Sequence, residues 1–263
     1  MHTLTRSLVL AGVIGLPALA ASSAVLADAA APVSPLTGNM TIASEYVYRG
    51  ISQTHRQAAI QGGFDYANPN GFYVGTWASN ISWISDANPG TSAPIEIDVY
   101  GGFKNSFAGG DWNYDVGVLT YNYPTNNLPA AAANPDTTEL YGLIGYKWVS
   151  LKYSQSTTNL FGWKSPTNQD SKGSGYLDLS ANYDLGAGWG LSGHVGHQQV
   201  KNFSDASYTD WKLGVTKDVG FGTVGLNYLD TNSKGDCSKA EPYCVGNKDI
   251  GSGTLVLSFG KTF

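Results

Sequence analysis

Residues 174–200, SGYLDLSANYDLGAGWGLSGHVGHQQV, contain two strand-length segments joined by a glycine-rich turn. In the first segment, 174–185, leucine, alanine and tyrosine occupy the odd positions from 177 onward, while aspartate, serine and asparagine occupy the even ones. This period of two is typical of a β-strand with one apolar and one polar face. Residues 186–188 then turn the chain back into the second segment, 189–200. The stretch therefore predicts an antiparallel hairpin whose strands are long enough to cross a bilayer at a tilt.

The same alternation recurs from residue 39 to the end of the chain, and the gaps between segments are short and long in turn. Only the gap at 52–57, after the first segment, is modest in length. Tight turns on one side and longer loops on the other are typical of outer-membrane barrels, which close an even number of strands. Closure also leaves no backbone group unpaired toward lipid. We therefore predict an all-β fold, a transmembrane antiparallel up-and-down β-barrel of about 12 strands, at 39–51, 58–67, 71–81, 95–107, 111–123, 138–146, 149–155, 174–185, 189–200, 208–219, 223–229 and 251–263.

The composition supports this fold over a secreted β-sandwich. Charged residues make up only 13% of the chain, about half of their usual share, whereas Gly (33 residues) and Tyr (16 residues) are frequent. A sandwich would explain neither the alternation of short and long gaps nor the C-terminal aromatic residue Phe263. Aromatic residues near the predicted strand ends are expected to form girdles at the membrane interfaces, at Tyr46, Tyr48, Trp112, Tyr114, Trp148, Trp189 and Trp211.

The N-terminal residues predict export to the Gram-negative outer membrane. Arg6 precedes the apolar stretch 7–20, and Val25 and Ala27 occupy the small-residue positions of a cleavage site. We expect residues 1–27 to be a cleaved signal peptide, 28–38 a flexible leader, and 39–263 the barrel. Outer-membrane lipid is then the expected surroundings. The barrel-assembly machinery is an expected partner, through the C-terminal strand that ends at Phe263.

Several segments resemble the TorF family, which comprises porin-like proteobacterial outer-membrane barrels of undetermined function. The strongest similarity is residues 44–54, SEYVYRGISQT, which resemble the opening strand motif of that family. Residues 75–79, 96–102, 117–124 and 261–263 are also similar. The resemblance implies an outer-membrane location and a pore. It supplies no substrate and no catalytic residue.

The polar face of each predicted strand identifies candidate residues for the lumen. Glu45 and Arg49 are expected on one face of the first strand, about 13 Å apart, so that each needs a partner on another strand. By count, the acids of the set outnumber the bases, which leans toward cation preference. The charges could line a pore or brace a narrow barrel, and loop residues could change the preference. The candidate pore-lining charges are Glu45, Arg49, Glu96, Asp98, Asp115, Glu139, Lys152, Asp178 and Lys212, with His194 on the same inner surface.

Cys237 and Cys244 lie seven residues apart in a polar loop and predict a disulfide, because export leads to an oxidising compartment. Neither a metal site nor a cofactor is expected. His194 and His197 fall on opposite faces of one strand, and no nucleophile motif accompanies them, so we expect no catalytic residues and no enzyme. The absence of a basic stripe argues against nucleic acid as a partner.

Two functions remain open at this point. The first is a porin or channel that gives passive passage to an unknown small solute or ion through a narrow charged lumen. The alternative is a non-conducting outer-membrane barrel that acts as a structural protein or binds through its loops. Phe161 and Trp163, an aromatic pair in a long polar loop, are candidates for contact with a ligand or a neighbouring subunit.

Overall fold

The computed structural model describes residues 34–124, 126–129 and 132–263. Within them, twelve antiparallel strands form one closed barrel, which confirms the predicted fold class. The predicted signal peptide, and the leader as far as residue 33, lie outside the described residues. The barrel strands are β1 (Leu36–Ala43), β4 (Ala59–Ala67), β5 (Phe72–Asn80), β6 (Ile95–Phe107), β7 (Trp112–Asn122), β8 (Thr137–Tyr146), β9 (Val149–Ser156), β10 (Gly175–Gly186), β11 (Trp189–Gln199), β12 (Tyr208–Asp218), β13 (Thr223–Thr231) and β16 (Thr254–Thr262).

The first and last barrel strands close the sheet. On one side, β1 pairs with β4, and Ile42 lies opposite Ile60. On the other side, β1 pairs with β16, and Ile42 lies opposite Phe259. Every barrel strand therefore has two neighbours, so the wall leaves no strand edge unpaired. Because β1 begins at Leu36, the last three residues of the predicted leader belong to this wall.

The connections differ strongly between the two ends of the barrel, as the sequence predicts. Tight turns join strands at one end, which we call the turn end, at 68–71, 108–111, 147–148, 187–188 and 219–222. The other end, the loop end, carries the long connections 44–58, 81–94, 123–136, 157–174, 200–207 and 232–253. Both ends of the barrel sheet, at Leu36 and Thr262, lie at the turn end.

The outer face of the wall is apolar. Leu177, Leu179 and Leu185 on β10 are about half exposed, and the corresponding positions of the other strands carry valine, isoleucine, leucine or phenylalanine. Trp112, Trp148 and Trp189 project outward near the turn end, and Trp211 does so near the loop end. These tryptophans fit the predicted girdles. No helix in the described part of the chain is both long enough and apolar enough to cross a membrane.

Short elements lie within the connections. The first connection contains β2 (Val47–Tyr48) and β3 (Ile51–Ser52), which pair as a small hairpin. The next long connection contains the helix α1 (Trp83–Ala87). The last one contains a second small hairpin, β14 (Cys244–Val245) and β15 (Lys248–Asp249).

The predicted disulfide between Cys237 and Cys244 is present in this last connection and is thereby confirmed. It closes a small loop beside the exposed carboxylate of Asp236. The side chain of Asp236 accepts hydrogen bonds from Ser238 Oγ at 2.7 Å and ion-pairs with Lys239 Nζ at 3.0 Å. Together these contacts lower the pKa of Asp236 to about 2.

The disulfide predicts a modest stability effect. We expect the native protein to show no free thiol on labelling with maleimide. Replacement of both cysteines with serine should lower the free energy of unfolding by no more than about 2–3 kcal/mol, because the closed loop is short. Denaturant titration of both proteins measures this difference. Quantitative thiol labelling of the native protein would contradict the prediction.

Candidate functional site

Residues 44–58 leave the wall at the loop end and fold into the lumen. The prediction of a first membrane-crossing strand at 39–51 is therefore wrong beyond Ala43, and the modest gap expected at 52–57 is part of a longer insertion. The side chains of Tyr46, Val47 and Tyr48 are 1%, 1% and 7% exposed. In sequence, Tyr46 and Tyr48 share the parity of the apolar residues before them and so predict a strand. In the structure the intervening Val47 is buried as well, because the barrel interior surrounds the segment. We call residues 44–58 the inserted segment.

A tight turn at Arg49-Gly50 reverses the inserted segment. The φ angles of these residues are 46° and 77°, and both central residues of a type I′ hairpin turn need positive φ. Gly50 also lies against the wall. A Cβ atom at this position would clash with Thr231 Cγ2 and would lie 2.7 Å from Asp210 Cβ. Only glycine meets both requirements, so the tip of the hairpin is fitted to β12 and β13.

Arg49 attaches this tip to three further strands of the wall, β8, β10 and β11. Its two terminal nitrogens donate to the two carboxylate oxygens of Glu139 on β8, at 3.0 and 2.7 Å. One of them also donates to Gln198 Oε1 on β11 at 2.7 Å. The guanidinium carbon lies 4.2 Å from the ring centre of Tyr176 on β10. This arrangement corrects the sequence-based placement of Glu45 and Arg49 on a shared strand face. Arg49 instead lies at the hairpin tip and forms a bidentate ion pair with Glu139 on β8.

Aromatic rings surround the inserted segment inside the barrel. Tyr46 packs edge-on against Trp77, with ring centres 5.3 Å apart, and its hydroxyl donates to Glu96 Oε1 at 2.8 Å. The hydroxyls of Tyr48 and Tyr121 are 2.6 Å apart. The prediction that Tyr46 and Tyr48 belong to an interfacial girdle is therefore wrong. Both rings lie in the lumen because the segment that carries them has left the wall.

Phe161 and Trp163, the candidate pair for contact with a ligand or a neighbouring subunit, are also packed inward. Phe161 stacks edge-on against Tyr48 and Tyr121, with ring centres 5.7 and 5.1 Å apart. Trp163 contacts Phe203 and Tyr243 in neighbouring connections. The long connection between β9 and β10 thus packs both rings against neighbouring aromatic side chains at the loop end.

A cluster of ionisable side chains lies beneath the hairpin tip. His194 on β11 sits between two carboxylates, with Nδ1 2.6 Å from Asp178 Oδ2 and Nε2 2.9 Å from Asp210 Oδ2. Tyr176 donates to the other oxygen of Asp210 at 2.9 Å. Because Tyr176 also stacks under Arg49, the cluster is in direct contact with the inserted segment.

Carboxylates on the opposite side of the wall also accept hydrogen bonds. Tyr73 donates to Asp115 Oδ1 at 2.6 Å and contacts the Tyr141 hydroxyl. Tyr100 donates to Asp65 Oδ1 at 2.6 Å. Asp98 differs, because it is only 2% exposed and its carboxylate accepts no hydrogen bond from any described residue.

The lumen lysines differ from the carboxylates. Lys152 Nζ lies 4.1 Å from the ring centre of Tyr141, and Lys104 Nζ lies 5.2 Å from that of Tyr73. Lys212 lies next to His194 in the pairing of β11 with β12. Among the described residues, no carboxylate oxygen approaches these three ammonium groups within 4.0 Å.

The structure places all the candidate charges inside the barrel. Seven lie on inner strand faces, and two lie on the inserted segment. Glu45 accepts from Thr254 Oγ1 at 2.9 Å, which joins the start of the inserted segment to β16. Sequence reasoning missed Asp65, Lys104 and Asp210, although each has the parity of the inner face of its strand. The same alternation rule would have found them.

The closed wall, the polar interior and the apolar exterior define a small porin-type barrel. The chain belongs to the family described as "Bacterial protein of unknown function (Gcw_chp)", whose model matches residues 26–263. No curated protein matches the sequence.

Several solved structures are similar to this chain. The NanC porin has a TM-score of 0.51 with 11% identity, over 86% of this chain and 98% of that one. The KdgM porin has a TM-score of 0.48 with 7% identity, over 86% and 98%. An outer membrane channel from Pseudomonas putida F1 has a TM-score of 0.49 with 13% identity, over 89% and 97%. At these identities the NanC likeness shows the fold alone.

Proposed function

We propose that this protein is an outer-membrane channel that lets small solutes or ions pass passively through the barrel lumen, without catalysis. In the state described here, the inserted segment closes the loop end. Two features support the proposal. The apolar exterior suits contact with lipid, and ionisable groups line the interior.

The proposal is supported chiefly by a difference in the solvent exposure of inward-facing side chains between the two ends of the barrel. Near the loop end, Glu96, Asp98 and Glu139 are each 2% exposed, because the inserted segment fills that part of the lumen. Toward the turn end, Lys104 and Lys152 are half-buried, and the inward-facing residues near the end of β10 are exposed. The interior is thus filled most tightly at the loop end, by a segment of the chain, and is more open toward the turn end beside β10, although Tyr73 and Asp115 stay buried there.

The way in which the inserted segment is held supports a removable closure. Along the hairpin, the contacts with the wall are made by side chains, chiefly those of Arg49, Tyr46 and Tyr48. The backbone of Ser52 donates to Ile250 O in another connection, and Gln53 O accepts from the backbone of α1 and the residue before it. Displacement of the segment would therefore break no hydrogen bond of the barrel ladder beyond that of Ser44 with Leu257.

The alternative, a non-conducting barrel, is favoured by the same closure. The two functions differ in one direct test, which is the swelling of proteoliposomes in iso-osmotic solutions of solutes of increasing size. A channel produces swelling with the smallest solutes and progressively less with larger ones. A permanently closed barrel produces none, although it inserts and resists heat denaturation in detergent.

Asp98 supplies a prediction that separates pore lining from bracing. Replacement of Asp98 with asparagine should leave the free energy of unfolding unchanged or raise it, because a buried carboxylate without a hydrogen bond destabilises the fold. The same change should shift the reversal potential of the channel in a salt gradient toward anions. The matched control, Glu139→Gln, loses the ion pair with Arg49 and should destabilise. A clear loss of stability in D98N would contradict a role in the pore.

Family membership, export and assembly of the barrel are further parts of this proposal. The resemblance of residues 44–54 supports membership of the TorF family, and these residues now form most of the inserted segment. Export by the predicted signal peptide and recognition of β16 by the barrel-assembly machinery are parts of the same proposal. Phe263 is 70% exposed at the turn end, which suits such recognition.

A further inference from the structure

Three lysines face the middle and the turn end of the lumen with their ammonium groups unpaired. Lys104 lies on β6, Lys152 on β9 and Lys212 on β12, so that three strand steps separate each from the next along one half of the barrel wall. All three are half-buried. Their ammonium nitrogens donate to no carboxylate or other side chain among the described residues. We call this part of the lumen the vestibule.

The carboxylates of the vestibule already have other partners. Asp65 and Asp115 accept from tyrosine hydroxyls, and Asp178 contacts His194 Nδ1 and Ser180. Four charged residues lie in one row across the sheet, in the order Lys104, Asp115, Lys152 and Asp178. Lys104 pairs with Asp115, and Lys152 pairs with Asp178. Leu143 lies between the two pairs, opposite both Asp115 and Lys152. Acids and lysines are thus neighbours in the row, yet the acids are hydrogen-bonded elsewhere and the lysines are free.

The tyrosine rings beneath two of the lysines strengthen this arrangement. A ring face attracts an ammonium group without accepting its N–H bonds in the way that a carboxylate does. Lys152 on Tyr141 and Lys104 on Tyr73 therefore keep donors directed to the lumen. Neighbouring lysines are about 14 Å apart along the wall, at about 4.8 Å per strand spacing. Flexible lysine side chains of this kind can converge on a solute that carries several anionic groups.

We infer that the vestibule binds small organic anions through carboxylate or phosphate oxygens, with Lys104, Lys152 and Lys212 as the donors. This inference rests on the proposed function, because it takes the lumen to be the path of the solute. It reverses the cation preference suggested by counting charges in the sequence. It does not depend on an excess of bases, because Asp65, Asp115, Asp178 and Asp184 also face the vestibule. It depends on lysine ammonium groups that lie beside acids already engaged in hydrogen bonds.

The test measures binding and conduction separately, on the full chain in detergent and in bilayers. Citrate and inorganic phosphate are the probes, and calorimetric titration measures their binding. We expect the affinity for citrate to fall at least about tenfold in Lys152→Gln and in Lys212→Gln, and to be largely kept in Lys152→Arg. Lys217→Gln is the matched control, since Lys217 donates to Ala187 O at the turn end, outside the vestibule. Resistance of each variant to heat denaturation shows that the barrel is folded.

The outcomes distinguish the two proposals. Citrate binding that depends on these lysines supports the anion site, whether or not the protein conducts. Binding without any conductance would overturn the channel and leave the anion site standing. Two outcomes would overturn the anion site alone. One is conductance without binding of citrate or phosphate, and the other is binding that is as tight in the folded glutamine variants as in the unmodified chain. Preference for citrate over phosphate indicates an organic carboxylate as the solute, and the reverse indicates a phosphorylated one.

Discussion

Replacement of Arg49 with alanine is expected to destabilise the protein by about 3–5 kcal/mol and to loosen the closure of the loop end. The substitution leaves the Glu139 carboxylate buried without the cation that now donates to both of its oxygens, and an unpaired buried charge costs about that much. It also removes the stacking contact with Tyr176, which joins the hairpin tip to β10. The inserted segment should therefore leave the lumen more often.

Denaturant unfolding in detergent measures the loss of stability, and proteoliposome swelling measures the increase in permeability. Arg56→Ala is the matched control on the same segment. Arg56 donates to Ser252 Oγ at 2.6 Å and to two carbonyl oxygens, so its loss leaves no carboxylate unpaired. Its effect should stay below about 1 kcal/mol. A double variant, R49A with E139Q, should recover part of the stability. Equal effects of R49A and R56A would contradict the anchoring role of Arg49.

Removal of the inserted segment is expected to have the largest effect on permeability. Ala43 pairs directly with Ala59, so the ends of β1 and β4 are already adjacent where the segment leaves the wall. A four-residue glycine-serine link in place of residues 45–57 has the length of an ordinary hairpin loop. The barrel ladder stays intact, while the side chains that fill the loop end of the lumen are gone. Proteoliposomes with this variant should swell in solutes that the full chain excludes.

A shortened loop elsewhere provides the control for the deletion. Residues 166–168 form an exposed tip in the connection between β9 and β10, and their removal should leave permeability unchanged. If both deletions raised swelling equally, the effect would come from general loosening of the loops. If neither did, the inserted segment would not be the barrier.

The strands of the wall could be predicted from the sequence because their outer face is apolar and their inner face is polar, which produces the period of two. The segment predicted at 95–107 coincides with β6, and the segment predicted at 208–219 exceeds β12 by one residue. The parity that sends Leu177 outward sends Asp178 inward, and Lys152 and Lys212 have the same inward parity on their strands. The disulfide also followed from spacing and compartment alone.

The inserted segment could not be distinguished from a strand in the same way. Its residues 45–54 are buried whether apolar or polar, because the barrel supplies both an apolar and a hydrogen-bonding interior. The partners of Arg49 are 90 and 149 residues away in sequence, and no local pattern indicates them. Nor does a count of charges show that tyrosine and histidine side chains form the hydrogen bonds of the carboxylates, so that the lysines have no carboxylate partner among the described residues. Those facts depend on which strands face one another across the lumen.

Single-channel recording of the full chain and of the deletion variant in planar bilayers tests the central claim most directly. A channel closed by residues 44–58 predicts brief, small current steps from the full chain and long, larger steps from the variant without residues 45–57. Silence from the folded, inserted deletion variant would contradict the claim, because the lumen would then be closed by the wall itself.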